Sequence, residues 1–481
     1  MRSAADRIQS SLMCLCIGIG LAVAGCALRS YEAAPLDPAA SARAFESRTS
    51  DSPGLRQYML GHGYAGAWPV PRWGLSELTL LAFYYHPDLE VARARVAAAR
   101  AEAVVASQRA APTVTPLLEH HSDSGEGRTS PWSVGFDVEI PLGGGGRRAA
   151  LRERHVHLAD AAALRVGGAA WEVRSRLRLQ LVDYYAAVRE ADLLGEELRE
   201  KRALVKLLER RVQLGALSAT EAGTANLALA DTQSRLRTAR AAQERALTGL
   251  AHAVAVPLPV VRQVTFDFAA FDRLEQPPAD AQAQRAALLN RLDVRSQLLE
   301  YAAADADVKL EVARQYPNIA LRPGYLWDQG DNVWSLALGV LLPPALGNRA
   351  GIEAAEARRA LAAQEFMRLQ KQTISQAEGA RAVYANLSES VAAAKDLDAL
   401  QRAQLEQQQK RFDAGYADRV ELTQTRLQAA QASRAALAAR VDALRAQGEL
   451  EDALQVPLAG GPLPAVPVDS SSLHTSTLTT N

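Results

Sequence analysis

One frame of residues occurs twice in this chain, about 200 positions apart. Trp132-Ser133, Pro141, Gly145 and Arg147 recur as Trp334-Ser335, Pro343, Gly347 and Arg349, each displaced by 202. Upstream, Asp88, Ala97, Ala98, Ala99, Ala101, Arg109 and Pro112 recur as Asp293, Ala302, Ala303, Ala304, Ala306, Arg314 and Pro317, displaced by 205. Downstream, Arg211, Gly215, Glu221 and Val256-Pro257-Leu258 recur as Arg411, Gly415, Glu421 and Val456-Pro457-Leu458, displaced by 200. Alanines match by chance in a chain this rich in them. A Trp-Ser, Pro, Gly, Arg frame with its spacing kept does not. The chain is therefore expected to contain two copies of one structural unit.

Each copy follows the same order. An alanine-rich helix, roughly 88–111 and then 293–316, stops at a proline. Two short segments follow, separated by a turn. A long helical stretch then runs to Gly215 or Gly415, and a further helix ends at Val-Pro-Leu. Residues 147–214 as one helix would be about 100 Å long, and residues 220–256 about 55 Å. Leu181, Tyr184, Val188, Ala191, Leu194, Leu198, Val205, Leu208 and Val212 keep mostly 3/4 spacing, the seam of a helix packed on neighbours. Alanine lets such neighbours approach closely at no cost in side-chain entropy. Soluble coiled-coil hairpins would satisfy this pattern as well.

The segments between the helices discriminate further. Trp132, Val134, Phe136, Val138 and Ile140 alternate with Ser133, Gly135, Asp137 and Glu139. Trp334, Leu336, Leu338, Val340 and Leu342 alternate with Ser335, Ala337, Gly339 and Leu341. Period-two alternation with a Trp at one end fits a strand with a lipid face and a lumen face. Trp132, Trp334 and, in a third candidate interrupted by Pro323, Trp327 would then stand in an interfacial aromatic belt. Residues 113–122 are a fourth, weaker candidate. A soluble, half-buried hairpin is the alternative.

The N-terminus reads as an export signal over residues 1–25. Arg2 and Arg7 precede an apolar run, and small residues lead to Cys26. The run is too short to span a bilayer, and no later stretch is long and apolar enough. Three cysteines cannot build a disulfide framework. Lys+Arg and Asp+Glu both number 54, so the basic footprint of a nucleic-acid binder is missing from the composition.

Leu21-Ala-Val-Ala-Gly-Cys26 resembles a bacterial lipobox, which implies lipidation at Cys26 and, with Ala27 next, sorting to the outer membrane. Taken with the duplication, the strands and the long helices, the chain resembles the TolC-like outer membrane efflux family. Val138-Glu-Ile-Pro-Leu-Gly-Gly-Gly-Gly-Arg-Arg148 looks like the strand-to-helix passage of its cation-efflux, CzcC-like branch. Arg411-Phe-Asp-Ala-Gly-Tyr416 followed by Glu421 looks like its periplasmic turn. The resemblance implies a mainly α fold with a small β part. Duplicated helical hairpins and four strands per chain would form, as a homotrimer, a 12-stranded outer-membrane barrel on an α-helical periplasmic tunnel. It also implies a passive duct that docks a periplasmic adaptor (a membrane fusion protein) and an inner-membrane pump of the RND type. The exit duct of a type I protein-secretion system shares that architecture, and a non-pore periplasmic scaffold lipoprotein is the rival from another class.

On this resemblance the organisation is a signal peptide (1–25), a lipidated, extended N-terminal arm (26–75), a first repeat (76–258), a linker (259–280), a second repeat (281–458) and a disordered tail (459–481). Leu214, Gly215, Ala216, Leu217 and Ser218, with Ala414, Gly415, Tyr416, Ala417 and Asp418, match the tips where adaptors dock. Glu221 and Glu421 match acidic positions at the tunnel entrance, and Gln424 stands where a further acid is expected. Three copies of Glu421 would make a cation-attracting ring. Arg419 is a candidate to pair with an acidic tip residue in a closed state. No cofactor or metal site is expected. His155 and His157 are i,i+2 on a helix, while His120 and His121 alternate sides of a strand, and neither spacing suits zinc. Gly143–Gly146 lacks the Lys-Ser/Thr of a phosphate loop, and no enzyme motif is present.

Overall fold

The computed structural model describes residues 30–122, 130–143, 145–342 and 347–458. The expectations for the signal peptide, Cys26, Pro343 and the C-terminal tail lie outside these residues. The chain divides into two compact units, residues 1–47 and 48–481. In the first, helix α1 (Pro38–Glu46) starts at Asp37, whose carboxylate accepts from the Ala39 and Ala40 amides.

The second unit opens with helices α2 (Pro53–Gly61), α3 (Leu75–Tyr85) and α4 (Pro87–Ser107). Strands β1 (Thr113–His120) and β2 (Trp132–Gly143) lead into helices α5 (Arg147–Gln213) and α6 (Ala219–Ala253). After short helices α7 (Leu258–Arg262) and α8 (Asp280–Asn290), the order repeats. It runs through α9 (Leu292–Ala313), β3 (Asn318–Asp328), β4 (Asp331–Leu341), α10 (Arg349–Asp413) and α11 (Arg419–Leu454). With 67 residues, α5 is about 100 Å long. Among the described residues no helix is long and apolar enough to cross a membrane.

The extended arm expected before residue 75 is only partly extended. Asp37 and Ser52 each cap a helix whose first residue is proline, a pairing that pre-sets the first turn. From Leu55 onward the segment packs into the core: Leu55, Met59, Val70 and Trp73 are buried there. Their partners are Leu177, Leu181 and Tyr185 of α5, Leu250 of α6, Phe271 of the linker and Leu444 of α11. The linker is tied in as well, since Trp73 and Phe266 form a β-bridge. Arg48 donates to the carbonyls of Tyr85 and Ala255 at 3.0 and 2.7 Å. A belt of apolar side chains thus joins both copies near the middle of the long helices. Farther along, Leu194 and Leu198 of α5 pack on Leu236 and Ala239 of α6, on the expected seam.

Candidate functional site: the sheet and the helix tips

The four strands form one antiparallel sheet in the order β1-β2-β3-β4. β1 is well formed despite its weak sequence signal, with Pro116 on an edge strand where a missing amide is tolerated. Pro323 does not break β3. The pairing of β2 with β3 passes from Asp137–Gly324 to Ile140–Leu321, and the proline lies in the interval. A Cβ at Gly324 would meet the Asp137 carboxylate and the Ser335 hydroxyl, so any larger residue there would displace those side chains.

Register makes the sheet two-faced. Val114, Pro116 and Leu118 align with Val138, Phe136 and Val134. Leu321, Pro323 and Tyr325 align with Leu338, Leu336 and Trp334. One face is therefore apolar over this span, with His120 and Asn332 at its hairpin end. The other carries Asp137, an Arg322–Glu139 ion pair at 2.7 Å, and Ser133 donating to Asp328 at 2.5 Å. His121 Nε2 lies 3.1 Å from that serine hydroxyl. The apolar side is open: Trp334 is 78% exposed and Leu336 73%. Trp132 aligns with His120, Trp327 with Val134 and Trp334 with Tyr325, so all three tryptophans lie toward the hairpin end of the sheet.

At the opposite end the strands pass into helices. Arg147 closes this joint by donating to the carbonyls of Ala313, Arg314 and Tyr316 at 3.2, 3.2 and 2.6 Å. Asn348 does the same for the second copy, donating to the Glu311 carbonyl at 3.0 Å.

The far ends of the long helices carry the two tips. After α5 the Gly215 amide donates to Val212 and the Ala216 amide to Arg211, at 2.9 and 2.8 Å. After α10, Gly415 donates to Phe412 and Tyr416 to Arg411, at 3.0 and 2.8 Å. Both are Schellman turns, and Gly215 and Gly415 adopt the left-handed φ of +72° and +80° that such turns need. Leu214, Ala216, Ala414 and Tyr416 are exposed, and Leu217 and Ala417 are half-buried.

The side chains differ. Ser218 and Glu221 form a capping box: Ser218 Oγ accepts from the Glu221 amide, and Glu221 accepts from the Ser218 amide at 3.3 Å. Asp418 caps α11 through the Val420 amide and forms an ion pair with Arg211. This hydrogen-bonded guanidinium holds the Asp418 carboxyl below its usual range. Arg419, expected to pair with an acidic tip residue, has no ion pair among the described residues. The acid beside it is taken by Arg211 from the other copy. Glu421 accepts from Gln408 at 3.2 Å, and Gln424 is exposed.

Sequence reading did not find the contacts that join the copies above the tips. Arg426 reaches Glu200 at 3.4 Å, Arg434 reaches Glu190 and Glu197 at 2.9 and 3.1 Å, and Arg445 reaches Asp183 at 2.8 Å. Burial pushes Glu197 up, but Lys201, Arg434 and Thr232 hold it below its usual range. In the apolar belt, Arg174 contacts Glu451 at 2.9 Å and Arg178 at 3.7 Å, with all three side chains buried. Burial lowers Arg178 from its ordinary value.

Residues 81–256 match the family model described as outer membrane efflux protein. No curated protein matches the chain. Solved structures share the fold at low identity. The outer-membrane channel OprN is 19% identical with a TM-score of 0.64, covering 90% of this chain and 99% of its own. CusC, described for conformational changes accompanying folding and transmembrane channel formation, is 16% identical with a TM-score of 0.63, covering 91% and 100%. The outer membrane protein VceC of Vibrio cholerae is 17% identical with a TM-score of 0.64, covering 80% and 96%. Residues 81–256 thus match the outer membrane efflux protein family, and the described chain shares its fold with solved outer-membrane channels such as OprN.

Proposed function

We propose that three copies of this chain form a passive outer-membrane duct for efflux. The observation that carries this reading is the sheet, apolar on one face, polar on the other, and open at both edges. Unpaired strand edges are untenable in hydrocarbon, and four strands cannot close on themselves. Three copies make a 12-stranded barrel, whose polar face lines the lumen and whose tryptophans Trp132, Trp327 and Trp334 meet the outer interface. The helices continue the lumen as a periplasmic tunnel. The tips around Gly215 and Gly415 dock an adaptor that links the duct to an inner-membrane RND-type pump, which supplies the energy. Cys26 provides a lipid anchor. At the entrance three copies of Glu421 form the cation-attracting ring.

Detergent-purified protein in planar bilayers tests this reading. Discrete, long-lived conductance steps from the trimer fraction are expected. A trimer that inserts and never conducts refutes the duct.

A further inference from the structure

Four passages of the chain meet at the helix end of the sheet: into β1, out of β2, into β3 and out of β4. Every one of them carries arginine. They are Arg109, Arg147 with Arg148, Arg314, and Arg349. Two are used within the chain, Arg147 on the three carbonyls of the joint and Arg314 on Glu311 at 2.5 Å. Arg109, Arg148 and Arg349 are exposed and have no ion pair or hydrogen bond among the described residues.

Beside these three cations the apolar face of the sheet runs out at the exposed Leu142 and Leu342, with exposed Tyr316 nearby. No acid stands in the first turn of α5 or α10, whereas α4, α6, α9 and α11 each hold at least one. Arg148 and Arg349 thus lie at the positive ends of two long helices, a placement that costs energy unless an anion is near.

We propose that Arg109, Arg148 and Arg349 form a belt that binds the headgroups of anionic phospholipids in the leaflet facing the helices. The belt rests on one part of the duct reading, the placing of the apolar face of the sheet in the membrane, and does not need an open lumen. A phospholipid matches both halves of the surface, acyl chain on Leu142 and Leu342, phosphate on the guanidinium forks, which bind phosphate oxygens in pairs. Free phosphate matches one half. The belt fixes the depth of the barrel: the joint stays at the headgroup level while the tunnel stands clear of the membrane.

The test uses the full-length trimer, exchanged with equal amounts of phosphatidylglycerol and phosphatidylcholine of matched chains. Retained lipids are counted by native mass spectrometry. Wild-type protein is expected to favour the anionic lipid by about fivefold or more. The R109Q/R148Q/R349Q variant is expected to lose that preference while keeping its total lipid and its conductance. Equal retention of both lipids by wild type overturns the belt, as does an unchanged preference in the triple variant. Abolition of the preference by excess inorganic phosphate assigns the arginines to a free anion and also overturns it. Conductance without lipid preference sinks the belt alone. Lipid preference without conductance sinks the duct reading and leaves the belt.

Discussion

α5 and α11 meet along much of their length, and two different chemistries hold them together. In the apolar belt, Arg174 and Arg178 share the Glu451 carboxylate, which is 1% exposed. Toward the tips the same two helices are joined by ion pairs in contact with water, ending at Arg211–Asp418. Burial makes the first contact costly to break from one side. Hydration makes the second cheap to exchange, because water replaces each partner. The middle of the molecule therefore registers the two copies, and the tips can part without unfolding it.

The largest effect is expected at the belt. Glu451→Ala leaves two buried guanidiniums without their carboxylate and should cost about 3–5 kcal/mol in denaturant unfolding of the purified protein. A loss no larger than that of a tip ion pair would erase the contrast. Arg434→Ala sits between the two regimes, since it touches the buried Glu197 and the half-exposed Glu190. About 1–2 kcal/mol is expected by the same measurement, with Lys201 still serving Glu197.

At the first tip, Ser218→Ala removes the cap of α6 and should cost about 1 kcal/mol, read as faster amide exchange over its first turn. At the second tip, Asp418→Asn should leave unfolding almost unchanged and raise the leak of the resting channel. Its pH dependence follows from the direction of the shift. The folded pKa lies below the unfolded one, so the tie is fully present above the ordinary Asp range. It is lost as pH falls through the lowered value, and leak should rise only in stronger acid. The smallest effect on stability belongs to Glu421→Gln, which should shift cation preference in single-channel recordings. Glu221→Gln should shift it less, because the Ser218 amide and hydroxyl both donate to that carboxylate, whereas Glu421 accepts from Gln408 alone. Equal shifts from both would show that the tips do not differ in this respect.

Much of this was legible in the residues, and the parts that were not share a cause. The strands of Trp132 and Trp334 could be read because alternation on an amphipathic sheet is a local pattern. The tips could be read because a Schellman turn needs its glycine. Arg211 and Asp418 lie 207 positions apart, and nothing local announces their meeting. Arg419 is the nearer cation, but within the chain the adjacent acid turns toward the other copy. Arg174 and Arg178 did leave a trace: two cations an i,i+4 step apart within the apolar run of Trp171, Val173, Leu177 and Leu181. The helices before residue 62 also left one, in Asp37-Pro38 and Ser52-Pro53, each a cap followed by a helix-starting proline.

The open sheet has a consequence for the life of a single chain. An unassembled copy carries an oily surface and two unsatisfied rims, so neither water nor lipid is a good solvent for it. On the duct reading, insertion and association would then be one event, and its yield should rise with about the third power of the concentration of free copies. Cells making too little of this protein would then accumulate degraded chains rather than a proportionate number of pores.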